Sequence, residues 1–152
     1  MVRIERIQHG HRLHAQSRAL RSAVLLEPIG YDFARFDREY PGYETSFVHF
    51  AAIVDHPTGE RVIGTACLLP EEGGRGKLMQ MAVDPQRQGE QIGRKLVIAV
   101  EQHAFGSLGM TELYCHAQIP AAGFYERLGW SPVGDVFAEA GIDHRKMALS
   151  AG

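Results

Sequence analysis

An α/β fold around one sheet is predicted by three features of this sequence. Its middle holds three apolar, β-branched stretches; one long amphipathic helix follows them; a further strand, helix and hairpin follow that. The chain has 152 residues, close to the roughly 150 residues of one ordinary domain. Residues 1–152 are therefore expected to form a single domain with one sizeable core.

Val2, Ile4 and Ile7 predict a short opening strand. Leu13, Leu20 and Val24 then recur at helical spacing until Pro28 stops the pattern. Phe33, Phe36 and Tyr40 predict a second short helix with its aromatic stripe inward, ended by Pro41-Gly42. Residues 47–54 and 62–69 read as a hairpin through the turn at 55–59. A second turn is expected over residues 70–76, where Pro70 and three glycines gather, before a third strand at 78–83 that Asp84-Pro85 ends. Ile92, Leu96, Val100 and Ala104 repeat every fourth residue, a helix from just after Gly89 to near Gly106. Leu113, Cys115 and Ala117 alternate as a strand, Phe124 and Leu128 mark a short helix from about Pro120, and residues 137–149 close the chain with a hairpin. Neither a linker nor an internal repeat interrupts this order.

Composition narrows the function. The 16 Lys+Arg against 18 Asp+Glu give a net charge of -2, without the broad positive field that nucleic-acid binding relies on. The longest aliphatic run, residues 96–100, is far below the roughly 20 residues of a membrane span. No signal-type stretch opens the chain, and Cys67 and Cys115 sit in apolar alternating runs without C-x-x-C spacing, so a cytoplasmic protein with core thiols is expected.

Chemistry concentrates in residues 83–96, VDPQRQGEQIGRKL, where a strand passes through a glycine turn into a helix. Such a turn can be a plain tight connection. Equally, free N–H groups of the first helical turn and the helix dipole can hold a phosphate or pyrophosphate whatever the net charge of the chain. The Rossmann G-x-G-x-x-G in repeating βαβ units and the P-loop G-K-[ST] are both missing.

Gln88-Gly89-Glu90-Gln91-Ile92-Gly93 resembles the Q/R-x-x-G-x-G/A hallmark of the GNAT superfamily of acetyl-CoA-dependent N-acetyltransferases. Two further stretches carry the resemblance: residues 121–130, AAGFYERLGW, and residues 139–147, EAGIDHRKM, which is similar to the tail of one group of small bacterial members. The resemblance implies a mixed sheet of about seven strands, splayed between strands 4 and 5 and flanked by about four helices. It implies acetyl-CoA as cosubstrate, with Met81 and Val83 as main-chain partners of pantetheine. Backbone N–H groups of Gln88, Gly89, Glu90, Gln91, Ile92, Gly93 and Arg94 would hold the pyrophosphate, and Gln118 would bond the pantetheine arm. Tyr125 matches the family's general acid; without the motif it reads as a core residue beside Phe124. The departure is Gln91, which stands where the family usually has glycine and is costly there only if the position needs positive φ or has no room for a Cβ.

Acyl transfer to an amine also needs a proton acceptor, because a lysine-like amine with a pKa of about 10.4 is protonated at neutral pH. Many family members carry a glutamate on the strand at 78–83; here Gln80 cannot take a proton, leaving ordered water, His116 or His49. Residues 27–46 hold five acids against Arg35 and Arg38, which would favour a cationic acceptor or form a solvated face. His9, His11 and His14 cluster without an acidic or cysteine partner at ligand spacing and are not assigned to a metal. The expected function is direct transfer of acetyl from acetyl-CoA to the primary amine of a small molecule or peptide. The rival is a non-catalytic acyl-CoA-binding sensor or interaction module of the same fold. Family habit adds a homodimer as an expectation.

Overall fold

The computed structural model describes residues 1–152. Apolar alternation yields seven strands: β1 (Arg3–Ile7), β2 (Val48–His56), β3 (Gly59–Glu71), β4 (Arg75–Val83), β5 (Glu112–Gln118), β6 (Ser131–Glu139) and β7 (Ile142–Ser150). They form one sheet in the order β1-β2-β3-β4-β5-β7-β6. Every pairing is antiparallel except β4 with β5, so the sheet is mixed as expected.

The helices follow their predicted signals. α1 (His14–Arg21) runs on through a wider turn to Leu26 and a tighter one over Glu27–Ile29, and Gly30, in a left-handed conformation, ends it after Pro28. α2 (Phe33–Glu39) starts where the Asp32 carboxylate accepts the Arg35 N–H at 2.8 Å. α3 (Tyr43–Ser46) is an added single turn. α4 (Ile92–Glu101) continues in a wider turn to Ser107, and α5 (Ile119–Arg127) carries Pro120 in its first turn.

Two strand boundaries differ from the sequence reading. The turn expected over 70–76 shrinks to three residues, because β3 runs to Glu71 and Pro70 pairs with Gly76 inside the ladder. Proline is tolerated there because β2 begins opposite Leu68, leaving β3 an open edge beyond it. β6 starts at Ser131 rather than near Phe137; Ser131 to Val136 are all exposed, so no burial alternation marks them.

Each face of the sheet buries its own cluster. Ile92, Leu96, Val97 and Val100 of α4, with Tyr125 and Trp130, pack on Ala52, Ala66, Leu68, Leu78, Leu113 and Cys115. On the opposite face Phe33, Phe36 and Phe47 pack on Cys67, and Leu13 packs on Ala51 and Ile53. α4 approaches closely because residue 64 is glycine: a Cβ there would lie 2.8 Å from Ile92 Cγ2 and 3.0 Å from Leu96 Cδ1.

The feature that makes a site is the end of the β4–β5 ladder. Arg75, Gly76 and Lys77 pair with Glu112, Leu113 and Tyr114, and pairing stops there. Against β3 the register of β4 shifts by one residue, from Met79 against Cys67 to Ala82 against Thr65, so Gln80 and Met81 together face Ala66. This bulge, with Gln80 at φ 49, bends β4 away from β5. The splay expected between strands 4 and 5 is thus present.

Candidate active site

The splay opens into a cavity of about 1220 Å³ lined by β4, β5, the loop before α4, the start of α5, and the end of α1 with Phe36, Tyr40 and Tyr43. Met81, Val83, Gln88, Gly89, Gln91, Ile92, Gly93, Arg94, Gln118 and Tyr125 all line it. Of the expected site residues, Glu90 is the one that does not: it is exposed, with its carboxylate 3.5 Å from Arg87. An anion in the loop would repel that carboxylate, so the outward direction is the favourable one.

The loop is made locally. Asp84 accepts the Gln86 N–H at 3.0 Å, and Pro85–Arg87 form a single tight turn. Gly89 follows at φ 91, with open space where a Cβ would be. Gln91 precedes α4 at φ 61 and ψ 28, and its carbonyl accepts the Lys95 N–H. The glycine position of the hallmark therefore does require a left-handed backbone, which glutamine adopts at a cost. No side chain caps α4, and no acidic residue stands in its first turn, so the first N–H groups keep their hydrogen-bonding capacity. Arg87 and Arg94 add positive charge on the cavity wall. Gly93 lies where a Cβ would be 3.5 Å from Phe124 Cζ and 3.7 Å from Met81 Cε. These features fit a pyrophosphate of the coenzyme A type.

Tyr125 is 6% exposed and packs edge-on against Phe124 at 5.0 Å, with Trp130 at 5.2 Å. Burial, and then the neighbouring Cys115, push its phenol above the usual range. It therefore stays protonated at neutral pH, able to donate. Burial also pushes the Cys115 thiol up to about 12, keeping it neutral at the cavity wall. Tyr125 is thus packed in the core and also lines the cavity.

A buried polar network that no sequence motif marks lies beneath the splay. Arg21, 0% exposed, donates to Glu44 at 2.6 and 3.0 Å and to Gln80 Oε1 at 2.9 Å. Because guanidinium only donates, the Gln80 oxygen is fixed toward Arg21 and its amide N–H groups are left for the cavity. Burial raises the Glu44 carboxyl, but the hydrogen bonds and charge of Arg21 outweigh it and hold the group below the usual carboxylate range. His49, 1% exposed, donates from Nε2 to the Glu44 carbonyl at 2.9 Å and has Nδ1 3.6 Å from the Cys67 sulfur. His14 joins this group, its ring edge-on between those of His9 and His49 at 4.8 Å from each; burial lowers its pKa to about 4. The ligand-type atoms of His14, Glu44 and His49 lie within 4.8 Å of one another. Glu44 is nonetheless committed to Arg21, and His49 Nε2 to a carbonyl.

The acidic segment does not face an acceptor. Asp32 caps α2, Asp37 pairs with Arg18 at 2.6 Å, Glu39 with Arg35 at 2.7 Å and Glu44 with Arg21, while Glu27 is exposed; none of the five lines the cavity. On that side the wall is Val24, Leu25, Phe36, Tyr40, Tyr43 and Met79. The attraction for a cationic acceptor inferred from these five acids is thereby withdrawn.

A sheet opened between two parallel neighbours, with an uncapped helix start at the mouth, suits an acyl-CoA transferase, and comparison with known proteins gives the family. The profile of the Acetyltransferase (GNAT) family matches residues 18–130, most of the chain, and the chain belongs to that family. Escherichia coli ElaA superposes with a TM-score of 0.78 at 20% identity, over 97% of this chain and 99% of that one. An aminoglycoside 6'-N-acetyltransferase solved with coenzyme A gives 0.77 at 20% identity, over 97% and 96%. An acyl-CoA N-acyltransferase from Pseudomonas aeruginosa gives 0.77 at 18% identity, over 99% and 100%. These likenesses are likenesses of fold. No helix is long and apolar enough to cross a membrane.

Proposed function

We propose that residues 1–152 act as one domain that transfers acetyl from acetyl-CoA to a primary amine by direct attack in a ternary complex. The observation that carries this reading is the end of β4–β5 pairing at Lys77 and Tyr114, which opens a cavity that the uncapped N-terminus of α4 also lines. Acetyl-CoA supplies the activated acyl thioester. The N–H groups of residues 89–94, with Arg87 and Arg94, hold its pyrophosphate. The backbone of Met81 and Val83 offers the free edge of β4 to the pantetheine amides, and Gln118, at the end of β5, bonds the same arm. A backbone N–H near Val83 faces the developing oxyanion. Tyr125 gives a proton to the departing thiolate.

The apolar and aromatic wall opposite favours an acceptor with an apolar body, either a small molecule or a peptide side chain. Two buried free thiols suit the reducing cytoplasm. One observation favours the rival reading, a binding module without turnover: Gln80 stands at the bulge in place of a carboxylate.

Calorimetric titration with acetyl-CoA, CoA and ATP tests the cradle, and an amine panel read by thiol release and acetylated product separates enzyme from module. Saturable binding of both CoA species but not ATP, with matched thiol and product, is expected. Tyr125→Phe should lower kcat by about 10²-fold with acetyl-CoA affinity retained. Unchanged kcat at saturation removes Tyr125 from the acid role.

A further inference from the structure

Three polar groups on β5, β6 and β7 meet at the cavity outside the coenzyme cradle. His116, Glu139 and His144 all line it. Strand alternation sends Leu113, Cys115 and Ala117 into the core with Tyr125, and so turns His116 to the opposite face of β5. A proton acceptor on that face and a proton donor at Tyr125 are thus separated by the opening through which the acyl group would be reached.

Long-range pairing builds the group. β5 and β7 place Gln118 opposite His144, and β7 and β6 place His144 opposite Phe137 and Ile142 opposite Glu139. The reversal at Ala140 and Gly141, both at positive φ, fixes Glu139 close to His144. Glu139 Oε1 lies 3.1 Å from His116 Nδ1, and Oε2 lies 3.8 Å from His144 Nε2. A carboxylate only accepts, so His116 Nδ1 carries the proton of that bond and Nε2 is left as a lone pair with no protein partner. His144 Nδ1 likewise donates to the Ile142 carbonyl at 2.7 Å. Phe137 packs edge-on against the His116 ring at 5.0 Å and restricts its rotation.

Gln80 and His49, the other polar side chains considered, do not offer this. The Gln80 amide has no basic lone pair, and both His49 ring nitrogens are engaged inside the core. We propose that His116, oriented by Glu139, is the group that takes the proton from the acceptor ammonium. This rests on the acetyl-transfer reading above. Lys77 and Lys146, both over the Tyr114 ring, face the same side and oppose a further positive charge there, whereas Glu139 offsets it.

The bookkeeping closes. The ammonium gives one proton to His116 Nε2, which passes it to water. The neutral nitrogen forms the C–N bond, the C–S bond breaks, and the thiolate takes a proton from Tyr125. The second proton lost from nitrogen restores the Tyr125 phenol through solvent, so each acetyl transfer releases one proton net.

The test compares two acceptors on the intact chain: an alkylamine, protonated at neutral pH, and methoxyamine, which is already neutral there. In His116→Gln, kcat/KM for the alkylamine should fall by about 10²-fold, with a far smaller loss for methoxyamine and partial rescue of the alkylamine reaction by added imidazole. Glu139→Gln, on a half-exposed side chain, guards against a folding defect and should show the same split at smaller size. A loss equal for both acceptors, or no loss for the alkylamine, overturns the assignment. Wild-type protein that binds acetyl-CoA yet acetylates neither acceptor overturns the acetyl-transfer reading and this assignment with it.

Discussion

Gln91→Gly tests whether the one departure from the loop motif is a strained residue. Gln91 sits at φ 61 and ψ 28, the left-handed region, with its side chain exposed. A non-glycine residue there costs about 1–2 kcal/mol, whereas glycine gives back about 0.5–1 kcal/mol through its freedom in the unfolded chain. The net expectation is a gain of about 0.5–1 kcal/mol in folding stability, or a rise in Tm of about 1–4 °C for a chain of this size. Urea unfolding and thermal melting of the ligand-free protein measure it. Gln91→Val, with a β-branched side chain at the same φ, should move stability the other way. Because glycine adopts the same left-handed turn, calorimetric CoA affinity should stay unchanged in Gln91→Gly. A loss of stability would refute the strain argument, since it would leave only the entropic cost of glycine. A tightening near tenfold would show instead that the strain is acquired on binding, at about 1.4 kcal/mol per decade.

The remaining expectations concern packing and acid. Gly64→Ala places a methyl 2.8 Å from Ile92 Cγ2, so it should cost about 1–3 kcal/mol and weaken CoA binding by displacing the first turn of α4, read by melting and calorimetry together. Burial lowers His14 to about 4 and also lowers His49. Folded His14 stays neutral while the unfolded chain protonates below about pH 6.5, so stability is full above that pH and is lost as pH falls toward about 4. The slope should reach about 1.4 kcal/mol per pH unit for each histidine held neutral, seen as falling urea midpoints. Glu44, depressed by Arg21, adds its own loss only at still lower pH. His14→Phe should flatten the curve, and a wild-type midpoint unchanged across that window would refute the assignment.

Much of the fold was legible because its signals are short-range. Pro28, Pro41-Gly42 and Asp84-Pro85 stop elements within a residue or two of where they are seen to end. The run Ile92, Leu96, Val100 and Ala104 forms the buried face of α4 and its continuation. The bulge at Gln80 carried no such signal, because neither glycine nor proline marks it; its φ of 49 arises from how β4 must pair with β3 while leaving β5. Likewise Glu139 and His144 stood inside a quoted motif, yet nothing in it tied them to His116.

By itself the sequence determined the order of elements, the core alternation of β2 to β5, the glycine turn before α4, and the segment holding Tyr125. Each follows from residue type and spacing within a few positions. Only the tertiary structure decided that Gln91 is left-handed, that Arg21 is neutralised by Glu44, and that His49 is spent in the core while His116 keeps a free nitrogen. Those outcomes depend on strand register and on which face of the sheet each side chain meets, and both are set by pairing between segments far apart in the chain.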